Sequence, residues 1–554
     1  MTRAVEPPTR VAREFGRTIQ AVHARLGGDA EAASTVGRWG TQAWREADAG
    51  HVCVDVDDAA ARDALAASPL VGPAAEPRPL VLERGALYLY RLWRAESTLA
   101  AAVRALDEPS PLAPVDAVAR AIAGLFGDVS GGADPGDPQQ RAVANALGRR
   151  LTVLSGGPGT GKTTTLARLL IAYAGLAPRA RIVYAAPTGK AAARLAQSLA
   201  AQLPRLDPSG SLRARLPAAG QTVHRLLGAR AGASGHSPLD YDLVIVDEAS
   251  MLDIELAARL CASIGPQSRL VLAGDRDQLA SVEAGAVFAD LCAAPLDGVV
   301  VLERNYRQQD APDIGALAAR IRDASGHGAA ASADWPATVA RADATPAAIV
   351  EEALGAWRDA FDAVAAGAAP ARVLAAYDAH RMLAAMRDGP VGVDALNRAL
   401  AQRVRRLAAE PASTDWYAGR LVMVTKNLSG LGLFNGDVGV CLADPRGGGE
   451  GLVVAFGAAG DVRLFPVLQM PACDDAWAMT VHKAQGSEFE SVAFVPAPVG
   501  HPLNTRELVY TGLTRARSRL SVWGSREAID EAARRPTQRH GRLADRLAER
   551  SAGR

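Results

Sequence analysis

Residues 151–165 read Leu-Thr-Val-Leu-Ser-Gly-Gly-Pro-Gly-Thr-Gly-Lys-Thr-Thr-Thr, an apolar run that breaks into glycines and then into a lysine followed by threonines. This is the pattern of a strand, a phosphate loop and a helix, with G-x-x-x-x-G-K-T from Gly156 to Thr163. The glycines let successive backbone N–H groups turn inward around a polyphosphate, and the helix opening at Thr163 adds its positive dipole end. Gly156, Gly157, Pro158, Gly159, Thr160, Gly161, Lys162, Thr163 and Thr164 are therefore the expected nucleotide cradle. Lys162 reaches the outer phosphates as a point charge, and the Thr163 hydroxyl holds magnesium.

Outward from this loop, strands alternate with helices. Arg181-Ile-Val-Tyr-Ala-Ala-Pro-Thr-Gly-Lys190, Thr222-Val-His-Arg-Leu-Leu-Gly228, Tyr241 to Met251 and Ser268 to Leu279 each place polar residues after an apolar run. Such alternation predicts an α/β fold with a parallel sheet, whose ligands bind at the carboxyl ends of the strands. Residues 1–128 are Ala- and Arg-rich with helical periodicity and no chemical motif; Ser130 to Pro138 is a turn-rich linker. Domains are thus expected at 1–128, 129–310 and 311–554, the last resuming with a strand at Arg372-Val-Leu-Ala-Ala. Between about 419 and 470, short β runs around Asn435-Gly436 predict a small antiparallel barrel inserted in the second α/β half. The tail after Arg526 reads as helical, charged and solvated.

Composition excludes several classes. There is no apolar signal core and no apolar run of membrane-spanning length, so a cytoplasmic protein without membrane contact is expected. Cys53, Cys261, Cys292, Cys441 and Cys473 are scattered, which supports neither a disulfide frame nor a cysteine metal site. The net charge of +1 argues neither for nor against nucleic acid. Among the 61 basic residues only Lys162, Lys190, Lys426 and Lys483 are lysines. Those four are candidates for positions that a planar guanidinium cannot fill, although Lys426 has an equally good reading as a solvent-facing charge.

The chemistry gathers at strand ends. Leu243 to Val246 lead into Asp247-Glu248, which sets one carboxylate for the magnesium shell and one for a base acting on the attacking water. Gln278 can bond both that water and the γ-phosphate. Arg307, in Asn305-Tyr-Arg, and Arg515, in Thr514-Arg, bring positive charge from distant segments, so hydrolysis would depend on domain closure. Gln139 or its neighbour Gln140, just ahead of the loop strand, could read the adenine edge. A metal-dependent nuclease of the relevant kind needs a carboxylate two residues before a lysine. Thr160, Thr188, Val424 and Val481 stand there instead, so no nuclease site is expected.

The order and wording of these motifs, with Gly-Leu-Phe-Asn-Gly-Asp-Val-Gly, Thr-Val-His-Lys-Ala-Gln-Gly-Ser-Glu-Phe and Tyr-Thr-Gly-Leu-Thr-Arg-Ala-Arg, resemble superfamily-one helicases. Within them the sequence is similar to the RecD family, the alpha subunits of exodeoxyribonuclease V (RecBCD), over about residues 139–525. The resemblance implies two RecA-like domains with ATP between them, an SH3-like module for the β insertion and a mainly helical N-terminal domain that docks on a partner. It also implies 5′-to-3′ travel on single-stranded DNA, unwinding of double-stranded DNA, and RecB-like and RecC-like subunits in a heterotrimer serving break repair and recombination. Carried onto this chain, the catalytic set is Lys162, Glu248, Gln278, Arg307 and Arg515, with Mg2+ on Thr163 and Asp247. Thr188, Lys190, His224, His482 and Lys483 fall in motifs beside the DNA strand, where each histidine could also be a hydrogen-bonded scaffold residue. Two other readings compete: a stand-alone RecD-like helicase, which usually carries a long N-terminal extension, and an ATP-binding scaffold without motor activity.

Overall fold

The computed structural model describes residues 9–72, 76–126, 137–228, 238–305, 311–324, 345–408, 415–428, 430–446, 451–457 and 461–549, with the backbone of 340–341. Arg307 and most of the Ser130–Pro138 linker lie outside the described residues.

Two parallel sheets carry the architecture. The first runs in the order Val299–Leu302, Leu151–Gly156, Arg269–Gly274, Leu243–Val246, Ile182–Ala186, Gln221–Thr222. Its inner strands are buried on both faces, as a parallel sheet covered by helices requires. The second orders Ala340–Arg341, Ala516–Trp523, Phe489–Val495, His380–Ala384 and Ala478–Thr480, again all parallel. The strand expected at Arg372 is instead the helix Pro370–Asp378, with the strand after it at His380–Ala384. Pro370 at the first helical turn presets φ, and Val373, Leu374 and Tyr377 share one buried face at helical spacing.

The insertion is a five-stranded antiparallel sheet, Arg463–Pro466, Leu452–Phe456, Val438–Ala443, Leu421–Met423 and Asp474–Asp475, around Val422, Val424, Leu433, Val454 and Phe456. Its Phe434 packs on Gly189 of the first α/β domain.

The N-terminal region is mainly helical, but it also holds a four-stranded sheet, Cys53–Asp55, Ala86–Leu89, Leu80–Glu83 and Val71–Gly72. Helical periodicity hid it, because Leu89 ends a strand and the helix Tyr90–Leu106 starts at the next residue. Its core runs without a break into that of the first parallel sheet, where Leu87, Leu99 and Val103 share a cluster with Val153, Val244 and Leu260. Helix Val115–Phe126, ahead of the boundary expected at 128, packs on the motor helices Pro138–Gly148 and Lys162–Leu176.

The tail corrects an expectation: it is not a solvated face. Helix Arg526–Arg534 buries Ile529, Ala532 and Ala533 in the core of the second α/β domain. The chain then crosses back, and Leu543 and Leu547 enter the N-terminal core. Its charges have partners. Arg546, 9% exposed, donates from Nε to Glu96 Oε2 at 2.9 Å and also pairs with Glu83, while Glu96 itself is fully buried. No described helix is long and apolar enough to cross a membrane.

Candidate functional site

Between the two parallel sheets lies a cleft of about 970 Å³. From the first domain it is lined by the phosphate loop, Gln139, Asp247, Glu248 and Gln278; from the second by Gly486, Glu488, Arg515 and Arg517. The geometry follows from local sequence. Gly161, at φ +89°, ends the loop in the left-handed region and heads helix Lys162–Leu176 with no side-chain cap. The first N–H groups of that helix thus stay free for an anion. Lys162 Nζ donates to the carbonyls of Gly157, at 3.1 Å, and Gly156, curled over the loop it is expected to serve.

Asp247 and Glu248 follow strand Leu243–Val246 directly. Glu248 sits at φ +54°, a left-handed conformation that costs a non-glycine residue about 1–2 kcal/mol and turns its carboxylate into the cleft. Burial pushes both carboxyls up from their ordinary pKa. Asp247 adds to the push on Glu248, against the pull of Arg515 and Lys162. Gln278 is 6% exposed; its Nε2 donates to Asp275 Oδ2 at 2.9 Å, and its Oε1 is buried with no protein partner. Arg515, 2% exposed, is held by the carbonyls of Thr511 (3.0 Å) and Ser487 (3.1 Å).

Of the two glutamines, Gln139 is the buried one. Its Nε2 donates to Thr160 O at 3.4 Å and its Oε1 accepts from Arg168 at 2.8 Å, although Gln140 also lines the cleft. Sequence reasoning missed Phe126 and Arg168, whose guanidinium lies 4.3 Å from the Phe126 ring centre beside Gln139. It also missed Arg194, which crosses the cleft to Glu488 at 2.7 Å and to Gly486 O at 2.9 Å. None of the three has a motif spacing that would have betrayed it.

Of the five residues expected beside DNA, four follow the outermost strand pairs of the two parallel sheets. Thr188 and His224 each follow by two residues the registered pair Ala186–Thr222, so both leave the carboxyl end of the same edge. Thr188 caps helix Gly189–Leu206, accepting from Ala191 N at 3.2 Å, and His224 is exposed. His482 follows by two residues the pair Ala384–Thr480 of the other sheet; burial, then Arg539, lowers its pKa. Lys483 is exposed and pairs with Asp474 at 3.6 Å. Lys190 is half-buried; burial and then Arg381 lower its pKa, while Asp378 and Asp437 oppose them. Lys426 is exposed past the strand Leu421–Met423.

Comparison with known proteins agrees with this geometry. Family models described as an AAA domain and as a UvrD-like helicase C-terminal domain match residues 135–338 and 475–523. The RecBCD enzyme subunit RecD of Mycolicibacterium smegmatis is 40% identical over 87% of this chain and 86% of its own length. That of Haemophilus influenzae is 30% identical over 93% and 86%. The ATP-dependent RecD2 DNA helicase of Deinococcus radiodurans is 34% identical over 84% of this chain and 59% of its own. The identity to the two RecD subunits, over more than four fifths of each sequence, settles the family: the chain belongs to the RecD subunits, ATP-dependent DNA helicases of the superfamily-one type.

Proposed function

We propose that the chain is the 5′-to-3′ motor subunit of a RecBCD-type helicase-nuclease, moving along single-stranded DNA and unwinding double-stranded DNA in the cytoplasm during break repair and recombination. The observation that carries this reading is the cleft itself, with the acid pair on one wall and Arg515 on the other. ATP bound there bridges the two α/β domains, so each hydrolysis changes how they meet.

In this reading Lys162 and the loop N–H groups hold the β- and γ-phosphates, and Gln139 contacts the adenine. Thr163 and Asp247 both face the cleft and offer two hard oxygen donors, which fits magnesium's habit of taking one or two protein oxygens alongside substrate phosphates. Magnesium bound there would neutralise developing charge on the phosphate oxygens. Glu248 accepts the proton of the attacking water, Gln278 Oε1 accepts its other O–H, and Arg515, joined by Arg307, stabilises the transferred phosphoryl group. Thr188, His224, His482 and Lys483 contact the DNA strand at the sheet edges, and Lys190 links that surface to the second domain. The β insertion serves as an SH3-like module.

We place the N-terminal domain boundary ahead of Val115 and assign that domain to docking on RecB-like or RecC-like subunits. Nuclease chemistry belongs to a partner. The test is Glu248→Gln in the full chain: single-stranded-DNA-stimulated ATP hydrolysis should fall at least about 100-fold, while ATP is still bound. A wild-type chain that binds ATP but hydrolyses none on DNA would turn the assignment to the scaffold reading.

A further inference from the structure

Gln278 is fixed from the far side of the cleft. Asp275 is 2% exposed, and its Oδ2 accepts both Gln278 Nε2, at 2.9 Å, and the Tyr510 hydroxyl of the second α/β domain, at 3.2 Å. Two more bonds from that domain hold the same loop: Leu279 N donates to Thr511 Oγ1 at 2.9 Å, and Gln485 Nε2 donates to Leu279 O at 2.9 Å. The phosphate loop meets them at the same point. A Cβ on Gly157 would lie 2.8 Å from the Tyr510 hydroxyl oxygen, so only glycine lets this tyrosine rest on the loop.

The arrangement decides which end of the carboxamide faces the nucleotide. A carboxylate accepts but does not donate, so Asp275 can bond the Nε2 end of Gln278 and repels the Oε1 end. Oε1 is left buried, without a protein partner, in a side chain that lines the cleft. It is placed to accept from a water attacking the γ-phosphate. The Tyr510 hydroxyl stays a phenol, since burial and then Asp275 push its pKa well above the ordinary value, and a phenol is the form that donates.

We propose that Tyr510 and Asp275 are positioning residues that set the Gln278 carboxamide, so that closure of the second domain completes the sensor. This rests on the catalytic reading of Gln278 given above. When the domains part, Asp275 loses its bond from Tyr510 and Gln278 loses its fixed orientation. Hydrolysis is thereby confined to the closed state through a hydrogen-bond chain, in addition to the delivery of Arg515.

The test measures DNA-stimulated hydrolysis by the full chain. Tyr510→Phe removes one oxygen and should lower kcat about tenfold with KM for ATP within about twofold, one hydrogen bond to a charged group being worth at least this much. Asp275→Asn, which lets the Gln278 amide turn over, should act in the same direction. In the Gln278→Ala background Tyr510→Phe should have no further effect. Tyr377→Phe is the control: it removes another buried tyrosine bond in the second domain, to Gly419 O at 2.9 Å, and should leave kcat unchanged. Full kcat in both Tyr510→Phe and Asp275→Asn beside a slow Gln278→Ala overturns this proposal alone. So does a tenfold loss from Tyr510→Phe that persists in the Gln278→Ala background. Full kcat in Gln278→Ala overturns the sensor reading and this proposal with it.

Discussion

Replacing Arg546 by alanine tests whether the tail is a structural clamp. Arg546 sits between Glu96 and Glu83, and its removal strands Glu96, which is fully buried. Breaking a buried ion pair from one side costs about 3–5 kcal/mol, because the remaining charge keeps its desolvation penalty. Here Glu96 retains the backbone N–H of Arg542, at 2.7 Å, and the Tyr88 hydroxyl, at 3.3 Å, which brings the expected loss below that range, to about 2–3 kcal/mol. The assay is the first urea transition of the full chain at pH 7, followed by fluorescence. Removing both charges, as Glu96→Gln with Arg546→Met, should recover most of the loss, since the penalty comes from the unpaired charge. A loss below about 0.5 kcal/mol, or a double variant as unstable as Arg546→Ala, would refute the reasoning.

Two further outcomes are expected. Lys162→Arg should abolish hydrolysis as fully as Lys162→Ala in a phosphate-release assay, because the Lys162 ammonium fits within the loop, 3.1 Å from Gly157 O, where a guanidinium is too broad. Burial, then Glu96 and Asp545, push the Asp290 carboxyl from 3.8 up to about 7. A raised carboxyl favours the folded state while protonated, so this stability is complete at low pH, declines as pH climbs from about 4 to 7 and is gone above. Asp290→Asn should therefore be more stable than the parent at pH 8, by about 1–2 kcal/mol in urea unfolding after allowing for water at its partly exposed carboxylate, with the gap narrowing as pH falls towards 4.

The nucleotide half of the site was legible because its chemistry is local. Eight residues from Gly156 to Thr163 build the cradle, and Asp247-Glu248 needs only the strand before it. Gln278 and Arg515 were readable as chemical types, and the cleft brings them onto opposite walls. What escaped were pairings between distant segments. Arg194 with Glu488, Tyr510 with Asp275 and Arg546 with Glu96 each join residues hundreds of positions apart, or nearly so, and no periodicity records such meetings. The tail misled for the same reason. Its arginines look solvated until the acidic residues that receive them are seen to lie in the N-terminal domain. Lys190 shows the same limit: its motif could be read, but not that Asp378 and Asp437, which oppose the lowering of its pKa, come from elsewhere in the chain.

The returning tail has a mechanical meaning. Thr537 is tied to Glu507 on the second domain, at 2.7 Å from its backbone nitrogen, and Arg539 is tied to Ser281 O on the first, at 3.1 Å. Only Gln538 stands between them, a leash with slack of a few ångströms, about 3.3–3.6 Å per residue at full stretch. The chain also crosses between the domains from strand Val299–Leu302 to helix Pro312–Asp323. Covalent crossings at these two places limit how far the second domain can part from the first. A subunit gripping the N-terminal domain, which shares its core with the first sheet, would thereby hold the first motor domain as well, leaving the second as the part free to change its contacts.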